Sequence, residues 1–325
     1  MKISVIGLGI YSLAISNSLA KNKNNEIVIW TESNEKYKEF KNKRNITSLY
    51  DLELPKNITI TTNLEETIKD ASIIYLITAS KYTKDIVEKI TPYYNKNIPI
   101  CIATKGIDES NEEILSNIVL KTLKTKHIAV ISGPTFAQDI LNNEPIALAI
   151  ASKSDKAKDM VIKTLKNETL KLRPTKDMIG IQLCGAIKNV IAIGSGIISG
   201  LGYSDSTQAF LINESMHDIM KIIYYLGGKP KTILSFAGVG DLMLTCSSKK
   251  SRNYSFGYIV GSTKDTKKIN KYLENNTVEG YSTLNTVYHM LKRKNIELGI
   301  IKIIYDIVYK NESPEKLAKF LIEKK

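Results

Sequence analysis

One lysine and one asparagine interrupt an apolar stretch in the second half of the chain. Lys188 and Asn189 lie within the segment 184–201, in which most neighbouring residues are apolar. Burying an ammonium group without a partner is costly. A lysine at such a place is therefore either paired structurally or held ready to give a proton to a polar atom, and the segment alone leaves both interpretations open.

Histidine, the usual proton-transfer residue, is a weaker candidate in this chain. His127, His217 and His289 lie within strand or helix patterns and have no nearby carboxylate motif. By elimination, Lys188 is the leading candidate for a group that exchanges a proton with a substrate hydroxyl. Asp241 lies between a glycine-rich turn and a helical pattern, and an aspartate brought against Lys188 would keep the amine oriented and charged.

The run Ser251, Arg252 and Asn253 offers one planar cation and two short hydrogen-bonding side chains. This combination suits a phosphate dianion. On these residues alone, a solvated loop is an equally good interpretation.

The N-terminus has the order strand, glycine turn and helix. A β-rich run at 2–6 is followed by Gly7 and Gly9 and then by apolar residues at helical spacing. In a dinucleotide fold the first glycine makes the tight turn, the second lets the backbone approach the pyrophosphate, and the helix start offers unpaired N–H groups. Ser12 stands where a third glycine is common, and we expect its side chain to loosen helix–strand packing slightly.

A second strand pattern at 26–30 ends close to Glu32. An acidic residue at this place can bind the ribose hydroxyls of the adenosine. Because it would repel a 2′-phosphate, Glu32 predicts NAD rather than NADP. A βαβ unit without a ligand, with Glu32 as a solvated loop acid, is the alternative.

Strand and helix patterns alternate through the first half of the chain. Strand-like runs recur at 58–60, 72–77, 98–103, 127–131 and 146–151, with helical patterns at 64–70, 85–90 and 111–123 between them. This alternation predicts an α/β domain with a largely parallel, doubly wound sheet. Ligands bind beyond the carboxyl ends of such strands, where the loops 104–106 and 132–137 follow.

The β patterns fade near residue 177 and long helical patterns replace them. They cover 178–198, 208–226, 230–236, 285–294 and 297–310. A chain of 325 residues favours two domains. We therefore predict a first domain at 1–177 and a helical second domain at 178–325.

The composition restricts the partners. The net charge is +13, but the lysines are scattered among asparagines without a dense basic arm, so nucleic acid is not expected. Cys101, Cys184 and Cys246 have neither paired nor metal-ligand spacing, which favours a reducing compartment and no metal. A signal-like start and an uncharged apolar run long enough to span a bilayer are missing, so we expect a cytoplasmic protein without membrane insertion.

Taken together, the motifs resemble the bacterial type of NAD(P)-dependent glycerol-3-phosphate dehydrogenase. The matching segments are 7–9, 104–106, 132–137, 184–190, 200–202, 238–241, 244–246, 251–253 and 278–280, in the family's order over nearly the whole chain. The resemblance implies an N-terminal Rossmann domain and an all-α C-terminal domain of the 6-phosphogluconate-dehydrogenase-like architecture. It implies interconversion of dihydroxyacetone phosphate and sn-glycerol 3-phosphate in the cytoplasm, chiefly for phospholipid synthesis, with NAD or NADP as cofactor. A homodimer is compatible with it.

The resemblance also implies roles for individual residues. The catalytic positions are Lys188, as the proton-transfer lysine, Lys105 and Asp241. The substrate-binding positions are Lys105, Gly133, Thr135, Lys188, Asp241, Ser251, Arg252 and Asn253. The cofactor-binding positions are Gly7, Gly9, Ile10, Tyr11, Glu32, Lys105, Ala137, Arg252 and Glu279. Asn213, Glu214 and Ser215 stand where the family commonly has threonine, arginine and glycine, which bears on local packing or subunit contact.

Two other functions stay open from the sequence. The first is another lysine-using reductase of the same architecture, such as a ketopantoate or β-hydroxyacid type, against which the phosphate-suited run 251–253 argues. The second is a non-catalytic dinucleotide-binding redox sensor. The presence of Lys105, Lys188 and Asp241 argues against it.

Overall fold

The structure, a computed structural model, describes residues 1–263 and 265–324. Its contacts divide the chain into two units. The first contains Met1–Lys105 and Leu115–Met178, and the second contains Gly106–Ile114 and Ile179–Lys325. The predicted division into 1–177 and 178–325 assigns Gly106–Ile114 to the first domain, whereas in the structure this segment belongs to the second unit.

The first unit is built on an eight-stranded sheet in the order β10-β9-β8-β5-β4-β1-β2-β3. Its strands are β1 (Lys2–Ile6), β2 (Glu26–Trp30), β3 (Ile58–Thr61), β4 (Ile73–Leu76), β5 (Ile100–Ile102), β8 (Ile128–Ser132), β9 (Ile146–Ser152) and β10 (Leu170–Thr175), while β6 (Ile107–Asp108) and β7 (Glu113–Ile114) form a separate hairpin. Neighbouring strands are parallel except for β8 and β9. The predicted, largely parallel sheet is confirmed.

Helices cover both faces of this sheet. They are α1 (Ile10–Ala20), α2 (Asn34–Lys43), α3 (Leu64–Ile68), α4 (Ser80–Ile90), α5 (Leu115–Leu123), α6 (Ala137–Leu141) and α7 (Asp155–Leu165). The Ser4 hydroxyl on β1 donates to the Thr67 carbonyl on α3, whereas Tyr75 on β4 contacts Thr164 on α7 at 2.6 Å. Since Tyr75 is opposite Val5, these side chains leave the sheet on opposite faces. The sheet is doubly wound, as predicted.

The hairpin β6–β7 belongs to the second unit, although the sequence analysis assigns it to the first domain. Ile107 and Ile114 are buried in the hydrophobic core of the second unit. Glu112 in the turn forms an ion pair with Arg293 at 2.6 Å. The helix predicted at 111–123 consequently begins only at Leu115.

Strand β10 is absent from the predicted elements, because its sequence does not read as a strand. It carries Lys171, Arg173 and Pro174, which are exposed. This strand is the edge of the sheet, where charges and proline are tolerated because one side needs no ladder hydrogen bonds.

The main body of the second unit is helical, as predicted. Its α-helices are α8 (Met178–Gly200), α9 (Asp205–Tyr225), α10 (Asp241–Cys246), α11 (Arg252–Ser262), α12 (Thr266–Asn275), α13 (Glu279–Arg293), α14 (Gly299–Lys310) and α15 (Glu315–Glu323). The helix predicted at 230–236 is a 3₁₀ helix, Pro230–Leu234, followed by a π-helical turn, Phe236–Gly240.

Helix α8 is the central element of this unit. It is long and apolar enough to cross a membrane, but its apolar window is entirely buried inside the protein, as in the core helix of a folded domain. It packs against α11 at a distance that only glycine allows, since a Cβ at Gly257 would lie 2.0 Å from the Ile193 carbonyl oxygen. This contact fixes the helix that carries Lys188.

Candidate functional site

Lys188 is buried on α8 and paired with two side chains of α10. Its Nζ donates to Asp241 Oδ1 and to Thr245 Oγ1, each at 2.7 Å. Lys188 is 7% exposed and Asp241 is 1% exposed. A buried ammonium is tolerated when a carboxylate and further hydrogen bonds replace its water. The contact that the sequence predicts between Lys188 and Asp241 is thus present in the structure.

Helix α10 carries both partners of Lys188, Asp241 and Thr245, and the turn before the helix fixes its start. The π-helical turn before it is held by the Ser235 side chain, which accepts a hydrogen bond from the Gly238 N–H. Thr245 donates its hydroxyl to the backbone carbonyl of Asp241 at 2.7 Å, which leaves its oxygen lone pairs toward Lys188. The sequence analysis gives Thr245 no role. The sequence could have indicated this role, because Thr245 follows Asp241 by four residues and both therefore lie on the same face of the helix.

Cys246 lies next to this cluster but is not a nucleophile. Burial raises the pKa of the Cys246 thiol well above its ordinary value, with Lys188 lowering it and Asp241 raising it further. A thiol that stays protonated is chemically inert. Its backbone carbonyl instead accepts a hydrogen bond from Ser195 at 2.8 Å, which ties the end of α10 to α8.

A second set of predicted residues surrounds the start of α13. Asn189, the neighbour of Lys188, donates from Nδ2 to Glu279 Oε2 at 3.5 Å. Asn253 Oδ1 accepts the Gly280 N–H at 2.8 Å. Because an amide has its donors on the other side from its acceptor, this bond leaves the Asn253 NH₂ group to a different partner.

Ser251 and Arg252 begin helix α11. The Ser251 hydroxyl caps the helix by accepting the Tyr254 N–H at 3.3 Å. Arg252 is exposed, and within residues 1–263 and 265–324 its guanidinium has no ion-pair partner. An exposed guanidinium without a carboxylate partner suits a planar anion such as phosphate.

The glycine turn of the first unit has the form that a dinucleotide needs. Gly7 has a φ of +108°, and a Cβ there would lie 2.4 Å from the Ile77 carbonyl oxygen, so only glycine fits. A Cβ at Gly9 would meet open space, and no side chain caps the start of α1. The open turn and the uncapped helix start fit a pyrophosphate.

Ser12 contacts the turn itself, which the sequence analysis does not anticipate. Its side chain is buried, and its hydroxyl donates to the Gly7 carbonyl at 2.6 Å. The hydroxyl therefore fixes the turn, which a glycine at this position could not do.

The remaining predicted residues of the first unit cluster near the end of β8. Lys105 Nζ donates to the Gly133 carbonyl at 3.2 Å. Tyr11 on α1 lies 3.4 Å from Thr135 between their hydroxyl oxygens. Ala137 begins α6, which packs against α1. The structure thus brings these cofactor and substrate candidates of the first unit together.

Glu32 lies apart from that cluster, after β2. Its carboxylate is paired with Lys89 of α4, with Nζ and Oε1 2.8 Å apart. The Glu32 side chain is 73% exposed. The sequence analysis considers Glu32 either as a ribose-binding acid or as a solvated loop acid, and gives Lys89 no role.

Known proteins resemble the chain over its full length. A sequence profile described as the NAD-dependent glycerol-3-phosphate dehydrogenase N-terminus matches residues 2–158, and one described as the C-terminus of the same enzyme matches residues 177–319. The glycerol-3-phosphate dehydrogenase [NAD(P)+] of Thermoanaerobacter sp. strain X514 is 33% identical over 97% of this chain and 94% of its own length. That of Halothermothrix orenii is 33% identical over 96% and 92%.

Solved structures agree with the sequence comparisons. The crystal structure of glycerol-3-phosphate dehydrogenase from Coxiella burnetii superposes with a TM-score of 0.93 at 25% identity, covering 99% of both chains. The predicted combination of a Rossmann-like sheet and a helical C-terminal domain is therefore confirmed. From the profiles, the full-length relatives and this structure, we conclude that the chain belongs to the NAD(P)-dependent glycerol-3-phosphate dehydrogenase family of oxidoreductases.

Proposed function

We propose that this enzyme interconverts dihydroxyacetone phosphate and sn-glycerol 3-phosphate, with Lys188 exchanging the hydroxyl proton. The observation that carries the proposal is the buried contact of Lys188 with Asp241 and Thr245, because it holds an ammonium where water is scarce. In such surroundings a positioned donor acts strongly on a developing alkoxide.

The reaction needs one hydride and one proton. When bound, the nicotinamide dinucleotide supplies the hydride for ketone reduction and accepts it in the reverse direction. Lys188 gives the proton from Nζ to the carbonyl oxygen of the substrate, so that one hydride and one proton turn the ketone into an alcohol. Asp241 keeps the ammonium oriented, and Thr245 accepts one of its protons to fix its rotation.

The pyrophosphate of the dinucleotide is held by the first unit in this proposal. Gly7, Gly9 and the backbone of Ile10 and Tyr11 receive the pyrophosphate at the start of α1. Further contacts by Glu32, Lys105, Ala137, Arg252 and Glu279, which the family resemblance implies, stay predictions. A preference for NAD that rests on Glu32 stays a prediction as well.

The substrate phosphate is bound by the start of α11. Arg252 supplies the cation. The Asn253 NH₂ group and the Ser251 hydroxyl proton supply further donors, since the Ser251 oxygen already accepts the Tyr254 N–H and Asn253 Oδ1 already accepts the Gly280 N–H. Lys105, Gly133 and Thr135 complete the predicted substrate set. Binding energy from this phosphate, remote from the reacting carbon, orients the ketone.

The cellular setting follows from the family resemblance. We place the enzyme in the cytoplasm, where it supplies glycerol 3-phosphate for phospholipid synthesis, and a homodimer is compatible with this role. These statements rest on the resemblance alone.

The proposal is tested by following NADH or NADPH oxidation at 340 nm with dihydroxyacetone phosphate. We expect saturable turnover with this substrate and little with unphosphorylated dihydroxyacetone or with ketopantoate. Turnover of ketopantoate in preference to dihydroxyacetone phosphate would sink the substrate assignment. Dinucleotide binding without any turnover would support the sensor alternative.

The role of Lys188 is tested in the same assay. Lys188→Ala should lower kcat roughly 10²–10⁴-fold, the usual contribution of a general acid. Lys221→Ala is a matched control, because this exposed lysine of the second unit pairs only at the surface with Glu297. Near-normal turnover by Lys188→Ala would end the assignment.

The role of Arg252 is tested by its effect on two substrates. Arg252→Ala should raise the KM for dihydroxyacetone phosphate. The KM for an unphosphorylated analogue should rise less. Equal losses for both would argue against phosphate binding.

A further inference from the structure

A tyrosine outside the predicted site holds the start of helix α13. Tyr309, near the end of α14, donates its hydroxyl to the Tyr281 carbonyl at 2.7 Å. Tyr281 lies in the first turn of α13. The two rings also pack together, with their centroids 4.6 Å apart. Tyr309 therefore fixes both the backbone and the ring of one residue at the start of α13.

The surroundings of Tyr281 and Tyr309 make this contact durable. Burial raises the pKa of Tyr309 above its ordinary value, so its hydroxyl keeps the proton that it donates. On its other side, the Tyr281 ring meets Phe256 of α11 edge to face, with centroids 5.8 Å apart. This is a favoured geometry for aromatic pairs. The first turn of α13 is thus fastened to α14 and to α11.

The first turn of α13 in turn holds a residue of the candidate site. The helix is preceded by Val278, whose side chain has no oxygen to cap it. The Gly280 N–H donates instead to Asn253 Oδ1 at 2.8 Å. A Cβ at Gly280 would lie only 2.5 Å from the Asn189 carbonyl oxygen, so the helix start packs tightly against α8 as well. The position of Gly280 consequently sets the orientation of the Asn253 amide.

In the proposed function, the Asn253 NH₂ group donates to the substrate phosphate. We propose that Tyr309 is a positioning residue for this group. By fixing the first turn of α13, Tyr309 holds the Gly280 N–H against Asn253 Oδ1 and thereby sets the direction in which the amide donates. The inference rests on the proposed function, and the sequence analysis gives Tyr309 no role.

The test is the steady-state kinetics of Tyr309→Phe with dihydroxyacetone phosphate. Phenylalanine keeps the ring contacts and removes only the hydroxyl. The KM should rise roughly two- to tenfold, the usual contribution of one neutral hydrogen bond. The kcat should change little, because Asn253 would bind the phosphate equally in the ground state and in the transition state. The KM for unphosphorylated dihydroxyacetone should change less.

Tyr305→Phe is the matched control. Tyr305 lies on the same helix and stacks on Tyr309 with centroids 4.9 Å apart. Its hydroxyl faces the exposed His289 instead of the backbone of α13, with the two polar atoms 3.5 Å apart. This variant should change neither KM nor kcat.

A double-mutant cycle tests whether Tyr309 acts through Asn253. In an Asn253→Ala background, Tyr309→Phe should leave the KM unchanged, because the amide that it positions is gone. An equal rise in KM in both backgrounds would overturn the inference. So would an unchanged KM of Tyr309→Phe accompanied by a lower melting temperature, since that result describes a purely structural tyrosine.

Amide hydrogen exchange separates this inference from the proposed reaction. Exchange of the Gly280 N–H, followed by NMR on the full-length protein without substrate, should be faster in Tyr309→Phe and unchanged in Tyr305→Phe. Faster exchange without any reduction of dihydroxyacetone phosphate would leave the positioning of Asn253 standing and refute the proposed function. Normal turnover by the wild type, with exchange and KM unaltered in Tyr309→Phe, would refute the inference alone.

Discussion

Two lysine–carboxylate pairs of nearly equal length lie in the two units of this enzyme. Lys188 and Asp241 are 2.7 Å apart in the second unit, and Lys89 and Glu32 are 2.8 Å apart in the first. The side chains of the first pair are 9% and 1% exposed, whereas those of the second are 52% and 73% exposed. The two N–O distances are thus nearly equal, whereas one pair is buried and the other is exposed to water.

The difference in exposure decides what each pair can do. Water screens the exposed charges and offers each an alternative partner, so that pair contributes little and exchanges easily. The buried charges have no such alternative, so removing one partner leaves the other unsolvated. A proton-transfer lysine needs the buried arrangement.

The largest expected effect on stability comes from removing one buried charge. Asp241→Ala should lower the free energy of unfolding by roughly 3–5 kcal/mol, because Lys188 is left buried without its carboxylate. Urea denaturation followed by circular dichroism measures the loss. The double variant Lys188→Met, Asp241→Leu should recover most of it while staying inactive. A loss no greater than that of Glu32→Ala would contradict the comparison.

Removing the Thr245 hydroxyl, which contacts both Lys188 and Asp241, should have a smaller effect on stability. Thr245→Val keeps the shape but removes the oxygen that accepts from Lys188, at a cost of roughly 1–3 kcal/mol. The same change should lower kcat, because the ammonium loses a contact that fixes its position. Thr245→Ser keeps the hydroxyl and should restore most of both properties. If serine and valine behave alike, the hydroxyl is not what matters.

An intermediate case is Asp306, a buried aspartate with two half-exposed lysines, Lys302 at 2.5 Å and Lys310 at 2.7 Å. Burial by itself raises the pKa of Asp306, but the hydrogen bonds from the lysines outweigh it and leave the pKa below its ordinary value. A lowered pKa in the folded state adds stability above the unfolded pKa of about 4, and this stability is lost as the pH falls through the folded value.

Asp306→Asn should therefore flatten the acid side of the stability curve. At neutral pH the variant should lose roughly 1 kcal/mol, the upper range for partly exposed pairs, and below pH 4 it should approach the wild type. Thermal melts between pH 3 and pH 7 measure both. A constant difference across that range would show that the carboxylate charge is not responsible.

The smallest effect is expected at the exposed pair. Lys89→Ala should change the free energy of unfolding little, because the pair is exposed, and still less in high salt, because mobile ions screen the same charges. A double-mutant cycle with Glu32→Gln isolates the pairwise contribution. A coupling as large as that of the buried pair would remove the distinction between the buried and the exposed pair.

The sequence alone predicted most of the fold because its patterns are local. The strands β1 and β2 and helix α8 follow from largely apolar runs, and the structure buries these elements almost throughout. Strand β10 was not predicted, since its charges and Pro174 are acceptable only at a sheet edge. The hairpin after Lys105 was assigned to the wrong unit, because nothing local tells Ile107 and Ile114 which core will bury them.

The candidate site was likewise predicted in part. Lys188, Asp241 and the glycine turn stand out in the sequence because their residue types are unusual for their surroundings or are required by the backbone. The hydrogen bond of Ser12 was not predicted, since only the folded turn shows that its hydroxyl reaches the Gly7 carbonyl at 2.6 Å. Thr245 was overlooked, because a threonine inside a helix is ordinary until its neighbour is known.

By itself, then, the sequence determined which residue types are available: a lysine in an apolar helix, an acid after the second strand, and glycines where the backbone must turn. Only the tertiary structure decided their partners. Asp241 reaches Lys188 across 53 residues and Lys89 reaches Glu32 across 57. The physical reason is that exposure to water, which separates a fixed pair from an exchangeable one, depends on how distant segments pack.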